Sequence, residues 1–312
     1  MKVGLDIMGG DFAPEATVKG AILASESISR EVKLVLIGDE QKITATEEFK
    51  KVDSSKIEIL HTPEYIGMGE HPAKAFSKKP NASIVLGYKL LQSGKIDGFA
   101  SAGNTGAMLV GAMHVVKSIP GIIRPCITVA IPKPNNKHTL VLDVGINPDS
   151  KPDVLYQYAI LGTLYAKHMY NNPSPRVGLL NIGTEEEKGN LLTKSTYQVM
   201  KDTSDFNFIG NVEGNNIFDD DVDVIVCDGF IGNVIIKQIE GFYEILRPRI
   251  PYNDFLENYN YVNYGGTPIL GINAPVIIGH GISNEIAIKN IILNTINVIN
   301  ANLINTFKEA FK

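Results

Sequence analysis

Short apolar segments rich in Val, Ile and Leu alternate along the chain with longer segments whose apolar residues recur at helical spacing. The short segments have the length and the β-branched content of buried strands. They predict strands at residues 2–8, 33–37, 57–60, 98–101, 177–182, 206–209, 222–227 and 275–278. The longer segments predict helices at residues 14–28, 84–92, 108–115, 154–168 and 191–200, with a long final helix after Ser283.

This alternation predicts the α/β class, with a three-layer α/β/α architecture and a mostly parallel sheet. Several strands are apolar on both sides, so we expect helices to cover both faces of the sheet. Residues 127–131 and 139–142 depart from the alternation, because they flank Pro134-Asn135-Asn136-Lys137 and are typical of a β-hairpin. Residues 63–80 are rich in Gly, Pro and charge and predict a long functional loop.

Several residues are candidates for helix starts. Pro14 suits the first turn of the first helix, Asn81 would cap the helix at residues 84–92, and Ser283 would cap the final helix. The acidic run at residues 185–187 also indicates a solvated helix start, because carboxylates are favourable there.

Four turns lined with Gly, Asn, Ser and Asp follow predicted strands and precede helical segments. They are Ser101-Ala102-Gly103-Asn104-Thr105-Gly106, Asn181-Ile182-Gly183-Thr184, Asp228-Gly229-Phe230-Ile231-Gly232-Asn233 and Gly279-His280-Gly281-Ile282-Ser283. Such turns aim backbone N–H groups and a helix N-terminus at one place, which favours an anion. Because ligands of open α/β sheets bind outside the carboxyl ends of the strands, the four turns together predict a phosphate site. For any single glycine, a turn that needs positive φ is an equal alternative.

One internal similarity leaves two explanations open. Asp97, Gly103 and Gly106 have the same spacing as Asp223, Gly229 and Gly232, and each trio runs from a strand into an apolar helix. A duplicated half would explain the match. Recurring turn chemistry is the favoured explanation, because few residues outside the glycines agree.

Composition narrows the class of protein. The 312 residues are 44% hydrophobic and 20% charged, which is ordinary for a globular chain, and we expect one domain over residues 1–312, with a division into two lobes left open. The net charge of −5 argues against nucleic-acid binding. No apolar run approaches the ~20 residues of a membrane span, and no signal peptide is recognisable, so we expect a cytoplasmic protein. Cys126 and Cys227 are expected to be buried thiols.

Several kinds of chemistry lack their motifs. The sequence contains no P-loop, no Gly-x-Gly-x-x-Gly after the first strand, no Cys-x-x-Cys, no histidine pair at i, i+4 and no Gly-x-Ser-x-Gly. We therefore expect neither a cofactor nor a metal. His280 is either a hydrogen-bonding residue at a helix start or an acid/base group.

At these residues the chain resembles the bacterial phosphate acyltransferases, the acyl-ACP:phosphate transacylases. The resemblance is carried by residues 5–11, the Glu70-His71-Pro72 loop, the turn at 101–106, Arg124-Pro125, residues 142–145, Lys151-Pro152, residues 177–190 and 210–214, the turn at 226–234 and residues 264–268. It runs almost from end to end. Differences occur at Ser77, Ile146, Ile278 and Ile282, and the segment 241–264 is shorter than is usual in the family.

The resemblance implies transfer of a long-chain acyl group from acyl carrier protein to inorganic phosphate, giving an acyl phosphate for phospholipid synthesis. It also implies a fold similar to phosphate acetyltransferases and isopropylmalate dehydrogenase-like proteins, and a homodimer. Association with a membrane through the apolar residues of 241–264, or with a downstream glycerol-3-phosphate acyltransferase, stays open.

On this basis we assign candidate roles within the turns. The candidate catalytic residues are His280, Asn233 and Asp228. The candidate phosphate ligands are Gly103, Asn104, Thr105, Asn181, Gly183, Thr184, Gly229, Gly232 and Ser283. The candidate docking residues for acyl carrier protein are Lys78, Lys79, Arg124 and Lys188.

Inorganic phosphate is already an anionic nucleophile, so we predict direct attack on the thioester, with no acyl-enzyme. Two rival functions remain. One is a non-catalytic scaffold that binds acyl carrier protein. The other is an NAD-dependent hydroxyacid dehydrogenase on a related fold, for which the dinucleotide fingerprint is lacking.

Overall fold

The computed structural model describes residues 1–51, 53–135 and 137–312. The strands in these residues are β1 (Lys2–Asp6), β2 (Lys33–Gly38), β3 (Ile57–His61), β4 (Gly98–Ser101), β5 (Cys126–Pro132), β6 (His138–Leu142), β7 (Arg176–Leu180), β8 (Asn207–Val212), β9 (Val224–Val226), β10 (Thr267–Leu270) and β11 (Val276–Ile278). The helices are α1 (Glu15–Ser27), α2 (Glu40–Ala45), α3 (Pro72–Lys78), α4 (Ser83–Gln92), α5 (Thr105–Gly111), α6 (Pro152–Met169), α7 (Leu191–Met200), α8 (Gly229–Leu246), α9 (Asp254–Glu257), α10 (Glu285–Asn300) and α11 (Leu303–Ala310).

The chain forms two compact units. The first unit comprises Met1–Ser118 and Tyr261–Ile304, and the second comprises Ile119–Asn260 and Asn305–Lys312. That the two units act as one catalytic domain stays a prediction.

The first unit is built on strands in the order β3-β2-β1-β4-β11-β10. All neighbours are parallel except β10, which pairs with β11 in the antiparallel sense. The strands are apolar on both faces, and Leu5, Leu34 and Leu36 have no exposed surface. Helices α1 and α10 pack closely because Gly20 has no side chain; a Cβ there would overlap Ile288.

The second unit has the order β5-β6-β9-β7-β8. Strands β5 and β6 form the predicted hairpin, in which Thr128 lies opposite Leu142 and Pro132 opposite His138, and the other neighbours are parallel. Asn136, in the predicted turn, lies outside the described residues. The core of this unit includes Val141, Ile225 and Leu180.

The two units share one strand arrangement. The order β2-β1-β4-β11-β10 in the first matches β8-β7-β9-β6-β5 in the second, and in both the last pair alone is antiparallel. In the first unit the hairpin comes last along the chain, and in the second it comes first. The sequence alone favours recurring turn chemistry as the explanation of the shared spacing. The shared strand order instead favours a duplicated half.

The α/β class with a mostly parallel sheet is confirmed, whereas several local predictions are wrong. The predicted loop at residues 63–80 contains α3, which begins at Pro72, where a proline needs no hydrogen-bond partner for its nitrogen. The residue before α4 is Ala82, without a side-chain cap, so Asn81 does not cap it. The final helix is interrupted at Asn302, whose φ of 53° ends α10 before α11 begins. The hairpin of β10 and β11 was not predicted.

Candidate functional site

In the first unit, a buried carboxylate joins the turns that follow β1 and β4. Asp6, 1% exposed, accepts hydrogen bonds from the Ser101 hydroxyl at 2.7 Å and from the Met8 N–H at 3.0 Å. The Ser101 oxygen in turn accepts from the Gly103 N–H at 2.9 Å. Burial raises the pKa of Asp6, because the charged form loses its hydration, although these hydrogen bonds oppose the shift. The first turn approaches the second so closely that a Cβ on Gly9 would lie 2.7 Å from the Gly103 nitrogen.

The turn after β11 joins the same cluster. The Asp11 N–H donates to the Gly281 carbonyl at 2.8 Å. Ser283 does not cap the final helix as predicted, because its hydroxyl donates to the His280 carbonyl at 2.6 Å. Asn284 caps α10 instead and accepts from the Ala287 N–H at 2.9 Å. The His280 side chain is exposed, and its ring lies 5.3 Å from that of Tyr261. Three of the turns in the first unit therefore meet, with a histidine at their surface.

Asn104 connects this cluster to the segment 67–70. Its side-chain nitrogen donates to the carbonyls of Gly67, Met68 and Glu70 at 3.0–3.1 Å, and its side-chain oxygen caps α5 by accepting from the Ala107 N–H. Both amide atoms are thus engaged within the protein, whereas Thr105, the first residue of α5, is exposed. Asn104 stays a predicted phosphate ligand, and its hydrogen bonds give it a clear role in shaping the site.

The predicted docking lysines of the first unit differ in their surroundings. Lys79 forms an ion pair with Glu70 at 2.6 Å and donates to the Tyr65 carbonyl at 3.0 Å. The carboxylate of Glu70 also accepts from the Gly67 N–H, and the hydrogen bonds from Lys79 and Gly67 lower the pKa of Glu70. Lys78 is exposed. Lys79 therefore holds the 67–70 segment, and Lys78 faces solvent.

In the second unit, the turn after β9 leads directly into α8. Asp228 caps this helix by accepting from the Ile231 N–H at 2.9 Å. Gly229 and Gly232 are buried, and the exposed Asn233 donates to the Val144 carbonyl at 3.3 Å. Residues 228–233 thus form one connected turn, as the motif predicts.

The neighbouring turn contains Asp143, which lies in the stretch 142–145 that carries the family resemblance but has no predicted role. Asp143, with no exposed surface, accepts from the N–H groups of Gly145, Ile146 and Asn147 and from that of Ile127 on β5. The sequence signal was an aspartate between two apolar residues directly after a buried strand, an unusual place for a charge.

A third turn in this unit follows β7. Asn181 donates from its amide to the Lys188 carbonyl at 3.1 Å, and Asn211, at the end of the neighbouring β8, donates to the Glu185 carbonyl at 2.8 Å. Gly183 is buried within the loop, while Thr184 and Lys188 are exposed. The acidic run at 185–187 is not a helix start, because Asn190 caps α7 by accepting from the Thr193 N–H at 2.9 Å. The two buried amides of Asn181 and Asn211 thus fix the loop that carries the predicted site residues Gly183, Thr184 and Lys188.

Arg124 precedes the hairpin and is half-buried. Its guanidinium donates to the Asp149 carbonyl at 2.9 Å, so it ties the start of β5 to the turn that precedes α6. The predicted thiols, Cys126 and Cys227, are buried and free as expected, and burial raises the pKa of each. Neither is a thiolate at neutral pH.

Comparisons with known proteins decide the family. A family model described as fatty acid synthesis protein matches residues 1–250. A phosphate acyltransferase of Dictyoglomus turgidum is 42% identical, over 93% of this chain and 91% of the relative. Those of Halothermothrix orenii and Bacillus subtilis are 40% and 37% identical, over 99% and 100% of this chain and 98% of each relative. The chain belongs to the phosphate acyltransferase family. It is accordingly an acyltransferase.

Solved structures support the fold. A phosphotransacetylase from Streptococcus pyogenes has a TM-score of 0.66 at 17% identity, over 97% of this chain and 94% of that one. A branched-chain phosphotransacylase from Enterococcus faecalis has a TM-score of 0.64 at 12% identity, over 96% and 99%. At such identities the likeness concerns the fold alone.

The surface of the second unit includes an apolar segment. Phe242, Ile245, Leu246, Ile250, Tyr252 and Phe255 are all exposed, and Tyr252 is 82% exposed. Among the described helices, none is long and apolar enough to cross a bilayer. Contact of the 242–255 segment with a membrane stays a prediction.

Proposed function

We propose that this acyltransferase transfers a long-chain acyl group from acyl carrier protein to inorganic phosphate. The match to phosphate acyltransferases over nearly the whole chain carries the proposal. The polar turns at the carboxyl ends of β4, β7, β9 and β11 support it, because such turns suit an anion and offer Asn and Thr donors. Acyl carrier protein and phosphate are the proposed substrates.

The reaction needs no nucleophile from the protein. An oxygen of hydrogen phosphate attacks the thioester carbonyl, a C–O bond forms and the carbonyl oxygen takes up negative charge. The C–S bond then breaks, the electron pair leaves with sulfur, and the phosphate proton ends on the thiol. Acyl phosphate and the free thiol of the carrier are the products, so atoms and charge balance.

The turns of each unit contain residues whose chemistry suits this reaction. N–H groups and the hydroxyl of Thr105 or Thr184 would bind phosphate, and Lys188 would offset its charge. Asn233 would donate to the developing oxyanion, and Asp228 would orient the start of α8. His280 would orient phosphate rather than protonate sulfur, because a thiolate is a good leaving group. We further propose that Lys78, Lys79, Arg124 and Lys188 contact the acidic carrier.

The deciding experiment incubates the protein with palmitoyl-acyl carrier protein, with and without inorganic phosphate. Phosphate-dependent loss of the thioester and a product that hydroxylamine traps as a hydroxamate are expected. An acyl-enzyme that accumulates without phosphate would contradict direct attack. If the protein binds acyl carrier protein but shows no turnover, the non-catalytic scaffold becomes the favoured function. An absorbance change with NAD would instead indicate the hydroxyacid dehydrogenase.

A further inference from the structure

Asp143 is a buried carboxylate to which the proposed reaction gives no direct part. One oxygen accepts from the N–H groups of Ile127, Gly145 and Ile146 at 3.2–3.3 Å. The other accepts from the N–H groups of Ile146 and Asn147 at 3.1 and 2.6 Å, and from the Asn147 side-chain amide at 3.0 Å. Within the described chain, no Lys or Arg forms an ion pair with it. Amide donors alone hold this charge, as they would hold a bound anion.

This arrangement fixes the turn 143–147 from several sides. The Asn147 amide also donates to the Pro125 carbonyl at 2.8 Å and to the Tyr158 hydroxyl at 2.7 Å, which ties the turn to β5 and α6. A carboxylate is the only side chain of this size that accepts hydrogen bonds on both of its polar atoms. An asparagine at residue 143 would turn its NH2 group toward three N–H donors, whichever way it lay.

The start of α8 rests on this turn. The Gly229 N–H donates to the Asn147 carbonyl at 2.8 Å, and a Cβ on Gly229 would lie 2.8 Å from the Asp143 carboxylate. A Cβ on Gly232 would overlap the Asp143 carbonyl. The two glycines of the Gly-x-x-Gly motif are therefore needed for close packing against Asp143. This packing explains why both positions are glycine, independently of any contact with phosphate.

The same turn also sets the position of Asn233. Its amide donates to the Val144 carbonyl, and a Cβ on Gly145 would lie 3.2 Å from the amide nitrogen. Gly145 has a φ of 141° and fits where a side chain would be strained. Displacement of the turn would move both Asn233 and the first turn of α8.

We propose that Asp143 is a positioning residue for phosphate: it fixes the turn 143–147 and, through that turn, the start of α8, where Gly229 and Gly232 are predicted phosphate ligands. The inference rests on the proposed function. Asp143 itself touches neither substrate, since all its acceptor sites face N–H groups of the protein. Loss of the Asp143 carboxylate should raise KM for phosphate more than KM for the acyl carrier protein.

The test compares D143N and G232A with G241A. Gly241 lies in the same helix, and a Cβ there meets no atom within 4 Å, so G241A matches G232A in chemistry and in element. We expect KM for phosphate to rise about tenfold or more in both variants. In D143N the reason is that buried N–H donors lose their acceptor, and in G232A it is that the start of α8 is displaced. KM for palmitoyl-acyl carrier protein should change less than twofold, and G241A should match the wild type in both.

The outcomes separate this inference from the proposed function. A wild type without phosphate-dependent turnover contradicts the proposed function. An active wild type whose D143N variant is folded and keeps its KM for phosphate overturns the positioning role, as does an equal rise in both KM values. If D143N does not fold, N147A decides by the same comparison, because it removes one donor to Asp143 and the hydrogen bonds that tie the turn to Pro125 and Tyr158. Phosphate-induced stabilisation against heat is a second readout, which N147A should lose and G241A should keep.

Discussion

Asp97 and Asp223 make the same pair of hydrogen bonds to the main chain of a neighbouring strand in the two units. Asp97 donates its N–H to the Lys2 carbonyl, and its carboxylate accepts from the Lys2 N–H, both at 2.7 Å. Asp223 makes both contacts with Arg176 at 2.9 Å. Each aspartate stands directly before a central strand and fixes the first residue of its parallel neighbour. The shared spacing in the sequence thus corresponds to a shared structural task.

Asp223 also belongs to a buried charge cluster, so D223N should destabilise the protein more than D97N. The Lys133 ammonium group, which has no exposed surface, lies 3.8 Å from Asp223, and the Arg176 guanidinium lies 3.0 Å from it. Removing one partner of a buried pair costs ~3 kcal/mol, whereas an exposed hydrogen bond is worth about 1 kcal/mol. Urea unfolding of both variants measures the difference. Equal losses would show that the cluster adds nothing.

The contribution of Asp223 should also depend on pH. Burial raises its pKa, but hydrogen bonds from Arg176 and the charges of Arg176 and Lys133 outweigh burial, so its pKa lies below the ordinary 3.8. A lowered pKa in the folded state gives stability that is present above the unfolded value and is lost as pH falls through the folded value. The stability gap between wild type and D223N should therefore narrow below about pH 4. A gap that widens in acid would contradict this assignment.

Asn104 should matter to the 67–70 segment as well as to turnover. N104A removes the cap of α5 and three hydrogen bonds, a loss of roughly 2 kcal/mol in the free energy of unfolding. Amide exchange at residues 67–70 should accelerate. T105A, a change at the next and exposed residue, is the control and should leave this exchange unchanged. Protection of 67–70 in N104A would mean that other contacts hold the segment.

The two neighbouring lysines should separate docking from structure. K78E should raise KM for acyl carrier protein, with little effect on KM for phosphate or on stability, because Lys78 faces solvent. K79E should also loosen the segment that Glu70 anchors, since it places two carboxylates together. Steady-state kinetics at low and high salt distinguish these effects. A K78E variant with unchanged KM for the carrier would remove Lys78 from the docking surface.

His280 should orient phosphate without acting as an essential acid. H280N should lower kcat by about 100-fold, as the loss of an aligned donor does, and leave the shape of the pH–rate profile unchanged. The matched control is Y261F, which keeps the neighbouring ring. Disappearance of one limb of the profile in H280N would instead assign His280 a proton-transfer role.

If the membrane hypothesis is right, the exposed apolar segment 242–255 should bind bilayers. Flotation with anionic vesicles should carry the wild type upward, and Y252D should stay below, because a buried carboxylate opposes insertion. L191D is the control, since Leu191 is 87% exposed but lies on α7, outside the segment. If the wild-type protein does not float with the vesicles, membrane contact through the 242–255 segment is ruled out.

The sequence predicts every described strand except β10, the first hairpin and the four turns, because each depends on local signals, such as β-branched runs and Gly-rich turns. Tertiary contacts explain the failures. Ser283 has the chemistry of a cap, but it donates to His280, and the adjacent Asn284 caps the helix. Asp143 was overlooked because its significance lies in N–H groups that only the folded turn brings together. The proposed roles of the site residues remain predictions.

The interleaved order of the first unit has a consequence for synthesis. Strand β4 finds its neighbour β11 only after residues 119–260 of the second unit, since β4 ends at Ser101 and β11 begins at Val276. On a ribosome, which adds ~5–20 residues per second, one edge of β4 stays without its partner for roughly 10 to 35 seconds. Unpaired edges recruit other strands. Meanwhile every strand of the second unit has been translated once Val226 is added, so the second unit can complete its sheet before the first.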